Sequence, residues 1–384
     1  MNKALINPEI LRWARERAGL SIEELAKKIN IKNSKKILLW ENGEEKPTFL
    51  QARKLAKVLY IPFGYLYLDK VPKEELPIPD LRTIKDKQHN EFGPEIYNFI
   101  SEIQLKQDWY RDYLIEQGAE PLEIAEKYSL DTPYKIIAKD ITNRLNLTIE
   151  DRQKYNKKEF LKIIINKSEE IGIWVMKSGI VGNNTHLPLK VSDFRGFAIY
   201  DNIAPIVFLN TRDAVAAQIF TLIHELAHIW IGKSGISNIS LETSTKEIHE
   251  KTEKLCNDVA AEVLVPEDIL KSKWKDLKKI DELISFFHVS GVVIARRAVD
   301  LNLLKWEEFL EFYNKEKIKW EKYQQSKQSG GNINNTLPLR YGTHFTKTLL
   351  SAAINGQIVL RDAGRFLGIH PSKLFNFAKK IGVA

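Results

Sequence analysis

The stretch FTLIHELAHIW, residues 220–230, sets the tightest condition on what this chain can become. Two histidines stand four apart, a glutamate directly follows the first, and Leu222, Leu226, Ile229 and Trp230 supply apolar flanks. In an α-helix, positions four apart lie one above the other on one face. His224 and His228 can therefore aim two ring nitrogens at one point, which is half of a tetrahedral zinc site. Glu225 lies at the edge of that face, beside the coordination position left open. A carboxylate there can take a proton from an activated water and pass it to a leaving amine. The spacing is the metalloprotease pattern H-E-x-x-H. An amphipathic helix carrying these residues by chance is the competing reading. The surroundings favour the metal, because strand-like segments precede the motif and apolar residues flank it.

A catalytic zinc usually takes three protein ligands and keeps one position for water. The third is expected from the next helical stretch, EKLCNDVAAEVLVP, residues 253–266. Glu253 and Asn257 are four apart and share a face. Glu253 is the expected ligand, with His249 and Glu250 as competitors. Asn257, one turn on, can hydrogen-bond a ligating histidine and fix its tautomer. Glu262, nine residues from Glu253, falls on about the opposite face at 100° per residue and reads as a solvated carboxylate.

Around this centre the pattern changes along the chain. PEILRWARERAG, SIEELAKKIN, NSKKILLWENG and PTFLQARKLAKVLY read as four short helices within residues 1–72. Ser21 with Glu24 forms a capping-box signature, and Pro47 fits a first helical turn. VPKEELPIPDLR follows as a linker, and residues 92 to about 130 and 157–170 read as helical. GIWVM, FRGFAIY and PIVFLN are short, β-branched or aromatic runs separated by turn residues, hence three strands of a small sheet. Beyond the motif come more helices, then QQSKQSGGNINN, a low-complexity tether. The expected class is α+β. The expected division is a helical domain at 1–72, a linker and helical connector at 73–156, a metal-site domain with a helical appendix at 157–306, and a helical C-terminal region with its tether at 307–384.

Composition excludes some classes. No apolar run reaches the ~18–20 residues that span a bilayer. The opening residues lack an apolar core followed by a small-residue cleavage site, so no signal peptide and no membrane partner are expected. A single cysteine, Cys256, rules out an internal disulfide and a cysteine-only metal cage, and suits a reducing cytoplasm. The net charge of +8 favours polyanionic partners, although a lysine-rich composition alone produces the same surplus.

Residues 160–270, through FTLIHELAHIW and EKLCNDVAAEVLVP, resemble the ImmA/IrrE family of zinc-dependent endopeptidases. The resemblance implies a gluzincin-like site with His224, His228 and Glu253 on Zn2+ and Glu225 as base. It also implies regulatory proteins as substrates, often helix-turn-helix repressors, and a DNA-binding-like domain in the same chain. Asn257 stands where related zincins commonly carry an aspartate, so the histidine would be less polarised. An extended substrate is expected to pair with an edge strand beside the metal, and RGFAIY or PIVFLN is the candidate.

SIEELAKKINIKNSKKILLWENG resembles the Xre/Cro class of DNA-binding domains, through Leu25-Ala26, the turn near Ile31, and WENG followed by Pro47. Ile22 stands where that class often has a glutamine. In such a fold the second helix enters the major groove, which would present Asn33, Ser34, Lys35 and Lys36, with Lys32 near a phosphate. Asparagine and serine can read base edges, and lysines neutralise phosphates. The same fold can instead bind protein. FFHVSGVVIARRAV has similar spacing, with Arg296 and Arg297 in its second helix and a packing role expected. LRDAGRFLGIHPSKLFNFAKK is one more such unit, with Lys373, Lys379 and Lys380 expected to be merely exposed. His344 and His370 are expected to be structural.

The leading expectation is a cytoplasmic zinc endopeptidase that cleaves a repressor or antitoxin-like partner, joined to a DNA-binding domain for transcriptional control, with a homodimer among the expected partnerships. The alternative is a non-proteolytic Xre-type regulator or antitoxin that holds a partner, such as a cognate toxin, through its peptidase-like fold.

Overall fold

A computed structural model describes residues 3–72, 93–185, 187–237, 251–325, 337–338 and 340–383. The linker from Lys73, the tether from Ser326, and the competing ligands His249 and Glu250 lie outside the described residues. The chain divides into two compact units, one of residues 1–77 and 91–105, the other of 78–90 and 106–384. The long helix Pro94–Glu116 contributes to both. It ends earlier than the helical pattern predicts, at a turn where Gly118 adopts φ +82°.

The first unit is helical. Helices Pro8–Arg17, Ile22–Lys28, Lys35–Glu41 and Phe49–Val58 close on Leu11, Ala14, Leu25, Ala26, Ile37, Trp40, Ala52 and Leu55. Ser21 and Glu24 form the expected capping box, each accepting from the other's backbone N–H. Thr48, not Pro47, begins the fourth helix: its side chain accepts from Gln51 N–H, and Gln51 returns the bond. A proline outside the first turn leaves that cap free to form. Buried Glu41 is neutralised by Arg15, whose Nε donates at 2.7 Å.

In the second unit a four-stranded sheet lies against a stack of helices. The strands are β1 (Trp174–Ser178), β2 (Gly196–Ile199), β3 (Ile206–Asn210) and β4 (Gly235–Ser237). Their order is β1-β3-β2-β4, with β1 parallel to β3 and β2 antiparallel to both of its neighbours. Every residue of β2 and β3 is buried, so both are inner strands without an alternating polar face. Two expectations change here. A fourth strand exists that sequence patterning does not register, because three residues, Gly-Ile-Ser, are too short to show alternation. Both strands offered as the substrate-pairing edge are already flanked: β3 lies between β1 and β2, and β4 covers the far side of β2 from Gly196 to Ala198.

The motif helix, Val215–Trp230, crosses this sheet and is buried from Gln218 to its end. Its other side meets the following helix, Lys251–Leu264, and the helices Tyr134–Arg144 and Lys157–Glu170. Ile219, Leu222, Ile223, Leu226, Ile229 and Trp230 all enter one apolar core with Ile141, Ile164, Cys256, Val259 and Ala260. A helix buried all round must come from an apolar sequence, which explains why its few ionisable residues stand out.

Downstream, helices Ile280–Phe287 and Gly291–Asp300 pack against this core, and Trp306–Gln325 follows. Arg297 is buried and pairs with Glu262, so Glu262 is an ion-pair partner rather than the solvated carboxylate its position on the helix suggested. Arg296 pairs with Asp300 at 3.1 Å. The last described segment folds as Thr343–Ile354, Leu360–Leu367 and Leu374–Lys380. It is fastened to β1 by Phe345, whose ring stacks on Trp174 at 4.0 Å between centroids, while Trp174 Nε1 donates to Tyr341 O at 2.6 Å. Glu169 accepts from the backbone N–H groups of Thr343, at 3.1 Å, and His344. Burial pushes this carboxyl up to about 7, against those two bonds, which favour its charged form.

Candidate metal centre

The motif helix carries His224 and His228 one turn apart on the face that meets Lys251–Leu264. Glu253 opens that second helix and points its carboxylate between them. Glu253 Oε1 lies 3.0 Å from His228 Nε2, Glu253 Oε2 lies 3.3 Å from His224 Nε2, and the two Nε2 atoms are 3.3 Å apart. One donor atom from each residue lies within 4.8 Å of the others. The histidines are fully buried and Glu253 nearly so. Burial pushes the Glu253 carboxyl up, but the two rings outweigh it through charge and hydrogen bonds, holding it well below the usual carboxylate range.

Two imidazole nitrogens and one carboxylate oxygen, converging in an apolar interior, fit a divalent transition metal of the zinc class. Two lone-pair-bearing nitrogens do not approach each other within a core unless a cation or a proton lies between them.

Glu225 is fully buried beside this cluster. Strand β2 makes room for it. A Cβ on Gly196 would stand 2.5 Å from Thr221 Cγ2, 2.8 Å from Phe208 O and 3.3 Å from Glu225 Oε1. Only glycine lets the strand pass so near to the helix. Asn257 lies one turn beyond Glu253. Its Oδ1 is buried and makes no hydrogen bond, and neither does His224 Nδ1. The two atoms have complementary chemistry, but the structure does not join them. Cys256 is fully buried, and burial drives its thiol well up, with the charges of Glu253 and Glu225 adding to the effect. It is an inert packing residue.

Several supports were invisible in sequence. Asp213, nearly buried, accepts from Arg195 Nη1 at 2.8 Å, and its backbone carbonyl accepts from Gln218 Nε2, fixing the start of the motif helix. Trp230 Nε1 donates to Asp140 at 2.8 Å and anchors the other end. Arg152 is 1% exposed and donates from Nη1 and Nη2 to the carbonyls of Leu264 and Val263, at 2.6 and 3.1 Å. Those are terminal carbonyls of the helix that carries Glu253, where a cation also meets the negative end of the helix dipole. His288 Nε2 lies 2.9 Å from Arg152 O and extends this support. No spacing rule reveals such side chain to carbonyl bonds. His344 and His370 lie outside the cluster: His344 Nδ1 contacts Tyr110 OH, and His370 caps the turn before Ser372.

In the first unit, Lys32, Asn33, Lys35 and Lys36 are exposed and Ser34 is half-buried. Ser34 sits at the cap position of Lys35–Glu41 without a side-chain cap bond, and Asn33 Oδ1 accepts from Lys35 N–H at 3.1 Å. All five lie on the turn and first residues of the second motif helix. None of Lys32, Lys35 and Lys36 belongs to an ion pair among the described residues.

Three family models match the chain. Residues 169–299 match an IrrE N-terminal-like domain, residues 11–66 a helix-turn-helix, and residues 341–380 a domain of unknown function (DUF8813). No curated protein and no solved structure matches.

Proposed function

The chain joins an Xre-type helix-turn-helix domain to an IrrE N-terminal-like domain of a metallopeptidase family, and from that premise we propose a zinc-dependent endopeptidase that cleaves a regulatory protein. The observation that carries this reading is the convergence of His224, His228 and Glu253 within 4.8 Å beside a buried Glu225.

In this reading His224, His228 and Glu253 would hold Zn2+, and Asn257, whose buried Oδ1 makes no hydrogen bond, would turn toward His224 Nδ1 to steady that ring. Zinc, when bound, supplies Lewis-acid polarisation of the scissile carbonyl and acidifies the attacking water. Glu225 takes the proton of that water and delivers it to the departing amine nitrogen. Gly196 keeps β2 close enough to hold Glu225 in place while adding no side chain to crowd it. The Asn33, Ser34, Lys32, Lys35 and Lys36 surface of the first unit binds DNA, so that cleavage of a repressor or antitoxin-like partner is coupled to transcription. We place this activity in the cytoplasm, where Cys256 stays reduced.

A second reading has one observation in its favour. Both inner strands expected to receive a substrate are flanked, so the domain could hold a partner, such as a cognate toxin, without threading a peptide beside the metal. The two readings separate on one experiment. Zinc-loaded protein is incubated with the products of genes adjacent to its own, beside Glu225→Gln. Loss of a general base costs about 10²–10⁴-fold in rate, so cleavage should vanish in the variant at unchanged zinc content. Tight complexes without cleavage by the natural chain would establish the second reading. Undiminished cleavage by Glu225→Gln would remove Glu225 from its role.

A further inference from the structure

The C-terminal segment packs three helices with a turn of the kind found in the N-terminal helix-turn-helix. That turn is a left-handed helix stop that also closes other helices of this chain, at Gly118 and Asn302 among them, so the likeness lies in the three-helix arrangement and the surface rather than in the turn alone. In the first unit Ile22–Lys28 ends at Asn30, which adopts φ +61°. Asn30 N–H donates to Lys27 O at 3.2 Å and Ile31 N–H to Ala26 O at 2.8 Å. In the C-terminal segment Leu360–Leu367 ends at Gly368, with φ +64°. Gly368 N–H donates to Arg365 O at 3.2 Å and Ile369 N–H to Gly364 O at 2.9 Å. A small buried residue precedes the left-handed residue by four positions in both, Ala26 and Gly364, and an isoleucine follows it in both. Gly364 is under strict demand, since a Cβ there would stand 2.6 Å from Ile369 O. A second helix then begins at Lys35 in the first unit, burying Ile37 and Trp40, and at Leu374 in the last, burying Leu374 and Phe377. Thr343–Ile354 packs across both C-terminal helices.

The surface chemistry completes the parallel. Between residues 341 and 383 the segment holds six cations, Lys347, Arg361, Arg365, Lys373, Lys379 and Lys380, against one carboxylate, Asp362. All six cations are exposed. The second helix and the turn before it present Ser372, Lys373, Phe375, Asn376, Lys379 and Lys380 as one continuous exposed stripe. Phe375 is 46% exposed in the middle of it. The third unit of this shape differs at this point, because Arg296 and Arg297 of its second helix are held by Asp300 and Glu262.

We propose that residues 341–383 form a second duplex-DNA-binding module, in which Leu374–Lys380 enters the major groove. Asn376 and Ser372 meet base edges, Phe375 packs on a thymine methyl, and Lys373, Lys379 and Lys380 lie on phosphates. The module uses no residue of the N-terminal one or of the metal centre.

The test uses the full-length protein and a fluorescein-labelled duplex of random sequence, about 30 base pairs long, enough for two modules a helical turn apart. Anisotropy titrations are run across a range of salt. Three chains are compared with the natural one: Lys373→Ala/Lys379→Ala/Lys380→Ala, Lys32→Ala/Lys35→Ala/Lys36→Ala, and the combination of all six. Each lost phosphate contact lowers the slope of log affinity against log salt by about 0.9, so the C-terminal triple should cost about two to three in slope and at least tenfold in affinity. It should do so in the natural and the N-terminally substituted background alike. Circular dichroism melts should be unmoved, as these lysines are exposed. Phe375→Ala/Asn376→Ala should keep the slope but abolish enrichment of a half-site in selection from a random-duplex pool. The proposal is overturned if the C-terminal triple leaves slope and affinity unchanged, if the N-terminal triple alone removes all binding, if the natural chain binds no duplex, or if single-stranded DNA competes as well as duplex. Failure of the N-terminal substitutions to weaken binding would count against the N-terminal surface alone.

Discussion

At the scale of single residues, the centre depends on what each buried group is spared. Glu253→Ala removes the one acidic donor that the described residues bring to the cluster and leaves two histidine nitrogens facing each other. It should lower zinc affinity by at least about 10²-fold, read by metal content after dialysis against a graded chelator. Gly196→Ala inserts a methyl against Phe208 O and Thr221. Overpacking of this kind costs about 1–3 kcal/mol, read as a lower Tm, and catalysis should fall further than stability explains because Glu225 is the next atom reached. Glu169 gives a pH signature. Its folded pKa, about 7, exceeds the ordinary value of 4.5, so the folded state binds the extra proton between those limits. Its contribution is fully present below about pH 4.5 and is lost as pH rises through 7. Glu169→Gln should flatten that decline, by on the order of 3 kcal/mol, in denaturant melts across this window.

At the scale of elements, one helix cap was legible outright, although the start of the fourth helix and the end of Pro94–Glu116 were not. Ser21 with Glu24 announced a cap that the structure forms, since an oxygen three residues before a carboxylate needs no tertiary information. The motif helix was legible for the same reason, as a four-residue period places His224 and His228 together wherever the helix lies. Periodicity made Glu253 the better candidate for the third donor but left His249 and Glu250 open; the structure brings Glu253 to the two histidines, while the other two lie outside the described residues. What depended on neighbours stayed hidden. β4 is too short to show a pattern, and its pairing with β2 changed which strand is an edge. Glu262 read as solvated until Arg297 arrived from a helix 35 residues away. Arg152 is the clearest case, because its partners are backbone carbonyls that no side-chain pattern encodes. Arg152→Met should leave those carbonyls unpaired and cost about 1–3 kcal/mol in urea melts. If the end of that helix governs Glu253, zinc affinity should weaken in the same variant.

At the scale of the molecule, the centre joins segments that the chain keeps apart. His224 and His228 come from one helix, Glu253 from the next, and residues 238–250 between them lie outside the described structure. A ligand that binds only the assembled site stabilises the fold by mass action, about 2.7 kcal/mol at a hundred times its Kd. Stripping metal with a chelator should therefore lower Tm, and zinc should restore it in a concentration-dependent way. In Glu253→Ala that response should disappear.

The indole of Trp174 belongs to β1 but is gripped by Phe345 and Tyr341 of the last helical segment. From β1 the hydrogen-bonded ladder runs through β3 to β2, whose Gly196 lies against Glu225. A load on the tail and a metal at the centre therefore bear on one sheet, and if either biases the other the influence must run both ways by the same factor.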